Sequence, residues 1–344
     1  MRMRESNSEL EEEKKSVCVM DASGPLAHAL VARLLRRGYT VHAATYPHPH
    51  HHPEEEYQQH PRLKLFRADP LDYHAIADAV HGCSGLFAIF NTPSSSLSQS
   101  HSCFLDEEEG MVEAEVRAAH NILEACAQTD TMERVVFNSS VTAVVWRPQP
   151  EEDDDAALQL DENTWSDLTF CRRFKAPVQV ADYSLLMNCV RKKKNCTLWH
   201  ALAKTLSERT AWALAMDRGV DMVAINAGLL TGPGLTAGHP YLKGAPDMYD
   251  HGVLVTVDVD FLADAHIAAY ECPTAYGRYL CFNNAICRPE DAAKLAQMLI
   301  SSSAVPRPPA PPSDELKVIP QRIHTKKLNK LMLDFTSGVY GDIN

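Results

Sequence analysis

Nothing in this 344-residue sequence is apolar for long enough to cross a membrane. No apolar segment follows the charged N-terminus to form a secretory leader, and that terminus is too acidic for a transit peptide. Basic charge is in deficit. The 33 Lys and Arg stand against 45 Asp and Glu, a formal net charge of -12, which argues against a surface for nucleic acid or anionic membrane. Much of the excess is local, at 11–13, 106–109 and 151–155, and such runs read as solvated loops. Ten cysteines are present, but no CxxC pair and no Cys/His finger spacing. Cys18, Cys126 and Cys281 sit inside apolar runs and read as buried thiols. A reducing compartment, by default the cytoplasm, is the expected location. His48, His50, His51 and His52 have no Cys or carboxylate ligand fixed beside them, so they read as a low-complexity loop and no metal site is expected. No tandem repeat is visible.

What is present is an ordinary globular mixture, 45% hydrophobic and 23% charged. The alternation of short apolar runs with helical periodicity predicts strands at 16–20, 39–45, 63–68, 85–90, 134–140, 221–225 and 278–282, with an extended stretch at 253–260. Helices are expected at 25–37, 72–80, 109–128, 198–215, 261–270, 289–300 and 325–334. A tail at 1–15, an acidic loop at 147–163, a Gly- and Pro-rich loop at 230–244 and a proline-rich linker at 301–313 complete the chain. The first 30 residues of pattern form a βαβ opening, and the alternation predicts an α/β fold with a doubly wound parallel sheet.

The helix at 198–215 carries the most chemistry. His200 and Lys204 are four residues apart and project from one face of it. Spacing alone leaves two readings open: one polar face of an ordinary helix, or two groups that handle a proton together.

Several ordered stretches between residues 17 and 299 carry a resemblance: VCVMDASGPLAHALVARLLRRGYTVHA, LKLFRADPLD, NILEACA, RVVFNSS, WHALAK, INAGLLTGP and TVDVDFLADAHIAAYECPTAYGRYLC. In this set the chain resembles an extended short-chain dehydrogenase/reductase, specifically a divergent branch of the plant cinnamoyl-CoA reductase and dihydroflavonol reductase group. The resemblance implies a Rossmann domain at 16–232 and a small C-terminal substrate lobe at 233–344, interleaved with the sheet through 253–285. It implies an NADP (or NAD) cofactor and a small-molecule substrate with a carbonyl or acyl-CoA group, and leaves the oligomeric state open.

The family's glycine-rich turn falls on residues 20–27. Gly24 and Ala27 match, Ala22 and Ser23 lie between them, and Asp21 replaces the first glycine. Tyr46 stands where an arginine would hold the 2′-phosphate of NADP, with Arg36, Arg37 or a loop histidine as substitutes. Asp69 matches the acidic residue beside adenine, or else caps the next helix. Asn91, Thr92 and Asn226 fall along the cofactor cleft. The family's Ser-Tyr-Lys chemistry maps onto Ser140 (Ser139 is the alternative), His200 and Lys204. Of the signature NWYCYGK only Trp199 and Lys204 remain. Histidine at 200 leaves three readings: His200 is the acid, another group or water supplies the proton, or the fold binds a ligand without turnover. The last reading makes the chain a non-catalytic binding or regulatory protein. His266 reads as a packed structural histidine.

Overall fold

A computed structural model of the chain describes residues 15–46, 60–89, 104–148, 159–174, 197–232, 235–301 and 318–337. The tail at 1–14, the histidine-rich stretch with His48 and His50 to His52, Asn91, Thr92, the basic run at 191–194 and residues 302–313 of the proline-rich stretch lie outside them.

The apolar runs become strands because helices cover both faces of the sheet they form, all but the half-exposed edge strand at Leu63–Arg67. β1 (Ser16–Met20), β2 (Thr40–Thr45), β3 (Leu63–Arg67), β4 (Gly85–Ala88), β5 (Arg134–Ser140), β6 (Met222–Ala227) and β9 (Gly277–Cys281) form one sheet, in the order β3-β2-β1-β4-β5-β6-β9. Every neighbouring pair in it is parallel. Alternation along β1 divides the core: Val17 and Val19 face one side, Cys18 and Met20 the other.

The first side is covered by α1 (Gly24–Arg36), α7 (Val259–Glu271) and α9 (Lys326–Thr336). The second is covered by α2 (Tyr73–Val80), α3 (Phe104–Ala127) and α5 (Trp199–Arg218). Leu26, Leu30 and Leu34 recur on the buried stripe of α1, and Pro25 stands in its first turn. Asp72 caps α2 by accepting from the N–H groups of His74 (3.0 Å) and Ala75 (3.3 Å). Gly219, in the left-handed region, ends α5. Cys18, Cys126 and Cys281 are buried, and desolvation raises their thiol pKa values.

A third core draws on residues from Val141 to Ile323 and gathers Trp146, Leu198, Tyr241, Met248 and Ile319. Here α4 (Leu168–Arg173), α6 (Ala245–Asp250) and α8 (Pro289–Ser301) surround a small sheet, ordered β10-β8-β7. Its strands are β7 (Leu229–Thr231), β8 (Val255–Asp258) and β10 (Asn284–Ala285). The sequence reading of 230–244 as loop therefore fails at both ends. Leu229–Thr231 pairs in parallel with β8, and Pro240–Leu242 forms a 3-10 turn. The pairing partner is more than twenty residues away, so local composition did not reveal it. No helix among the described residues is long and apolar enough to cross a membrane.

His266, on α7, is fully buried, its Nδ1 2.8 Å from the carbonyl of Leu262, and burial lowers its pKa to about 4. A histidine held neutral binds its proton more readily in the unfolded chain, so stability is full above the unfolded value near ~6.5 and falls as pH drops toward 4. Urea unfolding at pH 7.5 and 4.5 should differ by about 2–3 kcal/mol through this group alone. His266→Gln should flatten the profile by that amount; an unchanged slope would contradict the assignment.

Candidate active site

The strand order reverses between β1 and β4, which opens a crevice at the carboxyl ends of the strands. Gly24 begins α1 with φ +84°, and no atom lies within 4 Å of where its Cβ would stand. Ser23, at the N-cap position, offers no side-chain cap to the helix. The first turn of α1 thus keeps backbone N–H donors and an open approach, which fits a dinucleotide's pyrophosphate. Ala22 and Ala27 are fully buried, and the Ala22 N–H bonds Ala44 O at 2.8 Å.

Asp21 complicates this cradle. Its carboxylate accepts from Ser23 N–H (3.1 Å), Ser23 Oγ (2.6 Å) and Tyr46 N–H (3.4 Å), and so sits between the carboxyl ends of β1 and β2. Arg36 and Arg37 are no substitutes for a 2′-phosphate cation. They lie at the far end of α1, roughly 20 Å from its start at 1.5 Å per residue, and Arg37 pairs with Glu271. Arg67, exposed at the end of β3 beside Thr45, is a cation on this edge of the sheet. Asp69 does not cap α2. Its Oδ1 accepts from Leu71 N–H at 2.8 Å and closes a local turn.

The second half of the crevice is built by β5, β6 and α5. Ser140 ends β5, and its Oγ accepts from Thr142 N–H (3.1 Å) and Thr142 Oγ1 (2.9 Å). Two bonds accepted in this way leave the Ser140 O–H as a donor for a substrate oxygen. Ser139 points the other way, and its Oγ donates to Glu208 at 2.6 Å. That commitment favours Ser140 over Ser139 as the carbonyl-orienting serine. Asn226 is buried, and its side chain donates to Glu208 (2.7 Å) and to the Ser140 carbonyl (3.3 Å). Its side chain therefore braces β5 against α5.

Glu208 is fully buried and takes the guanidinium of Arg278 on β9, with Nε at 2.7 Å. Arg278 in turn stacks 3.7 Å over the ring of Trp165 and bonds the carbonyls of Glu162 and Thr164. This network fixes the 162–165 segment, which leads into α4.

His200, in the first turn of α5, faces His239 and Tyr241, each with ring centroids 6.3 Å away. It lines a small pocket with Thr142, Trp146 and Lys243. Burial above all, then the charge of Lys204, His239 and Lys243, holds the His200 pKa well below the usual imidazole value. His239 is lowered too, by burial and then by Lys204, and its Nδ1 accepts from Tyr241 N–H. At neutral pH the His200 ring is therefore a neutral hydrogen-bond donor and acceptor, not a ready acid. The Tyr241 hydroxyl donates to Val255 O at 3.1 Å, and burial raises its pKa. Lys204, one turn on, is 5% exposed, and its ammonium donates to the Glu115 carboxylate on α3.

Trp146 also lines a neighbouring cleft, together with Phe170, Phe174, Met248 and Arg322. Trp146 meets Phe174 edge-on at 5.2 Å and packs against Gly244, where a Cβ would fall 2.5 Å from the indole.

Sequence reasoning missed Glu115, Thr142, Glu208 and His239. Thr142 alone left a signal, since it follows the two serines of a matched stretch. The others act through partners far away in the chain.

The doubly wound sheet, its crevice and the open helix start define a nucleotide-binding Rossmann protein of the short-chain dehydrogenase/reductase type. An NAD(P)H-binding family model matches residues 22–162. The chain is 34% identical over 337 residues to cinnamoyl-CoA reductase 2 of Arabidopsis thaliana, covering 93% of this chain and 88% of that one. It is 29% identical over 342 residues to dihydroflavonol 4-reductase of Zea mays, covering 94% and 84%. Vestitone reductase from alfalfa shares the fold, with a TM-score of 0.56 at 22% identity and 92% of each chain covered. The chain belongs to the cinnamoyl-CoA reductase and dihydroflavonol reductase group of extended short-chain dehydrogenases/reductases.

Proposed function

We propose that the protein is a nicotinamide-nucleotide-dependent reductase of a carbonyl or acyl-CoA compound, with His200 in place of the group's tyrosine. The observation that carries this reading is near-full-length kinship with reductases, and Ser140 and Lys204 stand where the resemblance places a serine and a lysine. A bound nicotinamide would supply hydride. Ser140 donates its hydroxyl to the substrate oxygen, and His200, held neutral, donates a second hydrogen bond through its one N–H. The proton comes from solvent: it completes the alcohol when a carbonyl is reduced, and goes to the departing CoA thiolate when an acyl-CoA is reduced to the aldehyde. The cleft behind Trp146 takes the body of the substrate, with Asp247, Met248, His251, Val253 and Arg322 in its wall. The competing reading, ligand binding without turnover, is favoured by one observation: Asp21 already holds the N–H and the hydroxyl of Ser23 in the phosphate turn.

Titration of the full chain with NADH and NADPH, followed by nicotinamide fluorescence, tests the reading. Binding of at least one below millimolar concentration is expected; no binding of either at millimolar concentration overturns it. A carboxylate at position 21 repels a 2′-phosphate, so Asp21→Gly should strengthen NADPH binding by about tenfold, about 1.4 kcal/mol, and NADH binding by less. His200→Tyr should raise aldehyde reduction on the order of 10²-fold by restoring a proton donor. Unchanged turnover in His200→Ala would remove His200 from the chemistry.

A further inference from the structure

Lys204 and Glu115 form an ion pair between α5 and α3, with both side chains 6% exposed. The two residues are 89 positions apart. Two buried charges are costly to desolvate, and a pair so placed is weak evidence for stability alone. The pair sits one helical turn from His200, on the residue that the group's chemistry assigns to the nicotinamide ribose. An ammonium has three N–H donors, and a carboxylate is a stronger acceptor than a sugar hydroxyl. With little water to screen it, the Glu115 charge offsets most of the field of Lys204.

We propose that Glu115 is a positioning residue that restrains Lys204: it holds the ammonium toward α3 and competes for it with the ribose hydroxyls of a bound nucleotide. The proposal rests on the reductase reading above. Binding in this site must either share the ammonium with Glu115 or draw it away. The competition acts at the ribose that NADH and NADPH have in common, so it weakens both alike. Asp21 acts elsewhere, at the phosphate turn after β1. Glu115 thus sets a ceiling on affinity that is independent of cofactor type.

The test uses equilibrium binding, not turnover. Glu115→Gln should tighten NADH and NADPH by roughly fivefold or more each, and by the same factor within about twofold, since the freed cation is repaired by the ligand. Lys204→Met should weaken binding strongly in the Glu115→Gln background and only slightly in the wild type. Circular dichroism reports whether Glu115→Gln is folded. If it is not, Glu115→Asp, which keeps the charge on a shorter arm, should show the same sign with smaller size. Equal or weaker nucleotide binding in a folded Glu115 variant overturns the proposal while leaving the reductase reading intact. Absence of binding in the wild type and every variant overturns the reductase reading, and the proposal with it.

Discussion

Replacing Glu208 with alanine is expected to destabilise the protein by about 3–5 kcal/mol, the largest loss from any single polar side chain described above. The carboxylate is fully buried and accepts from four side chains: Ser139, Asn226, Trp212 and Arg278. Alanine would leave the Arg278 guanidinium, itself 7% exposed, as an uncompensated cation inside the fold. Much of the loss is that orphaned charge rather than the worth of the pair. The double variant Glu208→Met with Arg278→Met should therefore recover most of the stability, and a double-mutant cycle in urea should show strong coupling. A cost below about 1 kcal/mol for Glu208→Ala, or a double variant no better than the single, would sink this account. The variant should also blunt the site, because Asn226 braces the Ser140 carbonyl only while Glu208 holds it.

Gly252→Ala is expected to cost about 3–5 kcal/mol, by strain and overlap together. Gly252 has φ +64°, and a Cβ there would stand 1.9 Å from the carbonyl oxygen of Pro320. The segment around Pro320 crosses the α6–β8 turn, and Arg322 N–H bonds Gly252 O at 3.0 Å. Arg322 O in turn accepts from Leu160 N–H at 2.8 Å, so the 318–323 segment is clamped on both sides. Backbone cannot swing away like the end of a flexible side chain, so the segment must lift. Gly219→Ala is the control: φ is +71°, but nothing lies within 4 Å of the added methyl. It should cost only about 1 kcal/mol, and the difference isolates the overlap. Proteolysis near 318–325 should accelerate in Gly252→Ala alone. Equal stabilities for the two variants would show that Pro320 yields easily.

The sheet was legible in the sequence because its strands are short apolar runs bounded by turns, as in residues 16–20 and 134–140, which match β1 and β5 residue for residue. The position of Lys204 on α5 was legible too, but its surroundings were not. Polar residues at 204, 205, 207 and 208 lie on the buried side of the helix, so a polar face read from periodicity is a buried one. A charge can be buried there only because Glu115 and Arg278 arrive from elsewhere. Their separations, 89 and 70 residues, lie beyond any local pattern. Asp21 was visible as a departure, yet its bond to Tyr46 N–H depends on β2 lying beside β1.

That same distance between Glu208 and Arg278 bears on how the chain is made. When α5 leaves the ribosome, the strand that will neutralise its buried acid is still to be translated. At 5–20 residues per second, the 70 residues between them take roughly 4–14 s. For that interval the nascent protein carries β5, β6 and α5 around an unanswered carboxylate. The last strand of the main sheet, arriving with its arginine, closes the edge and the charge in one event, so the main sheet is complete only once residues 277–281 have been made.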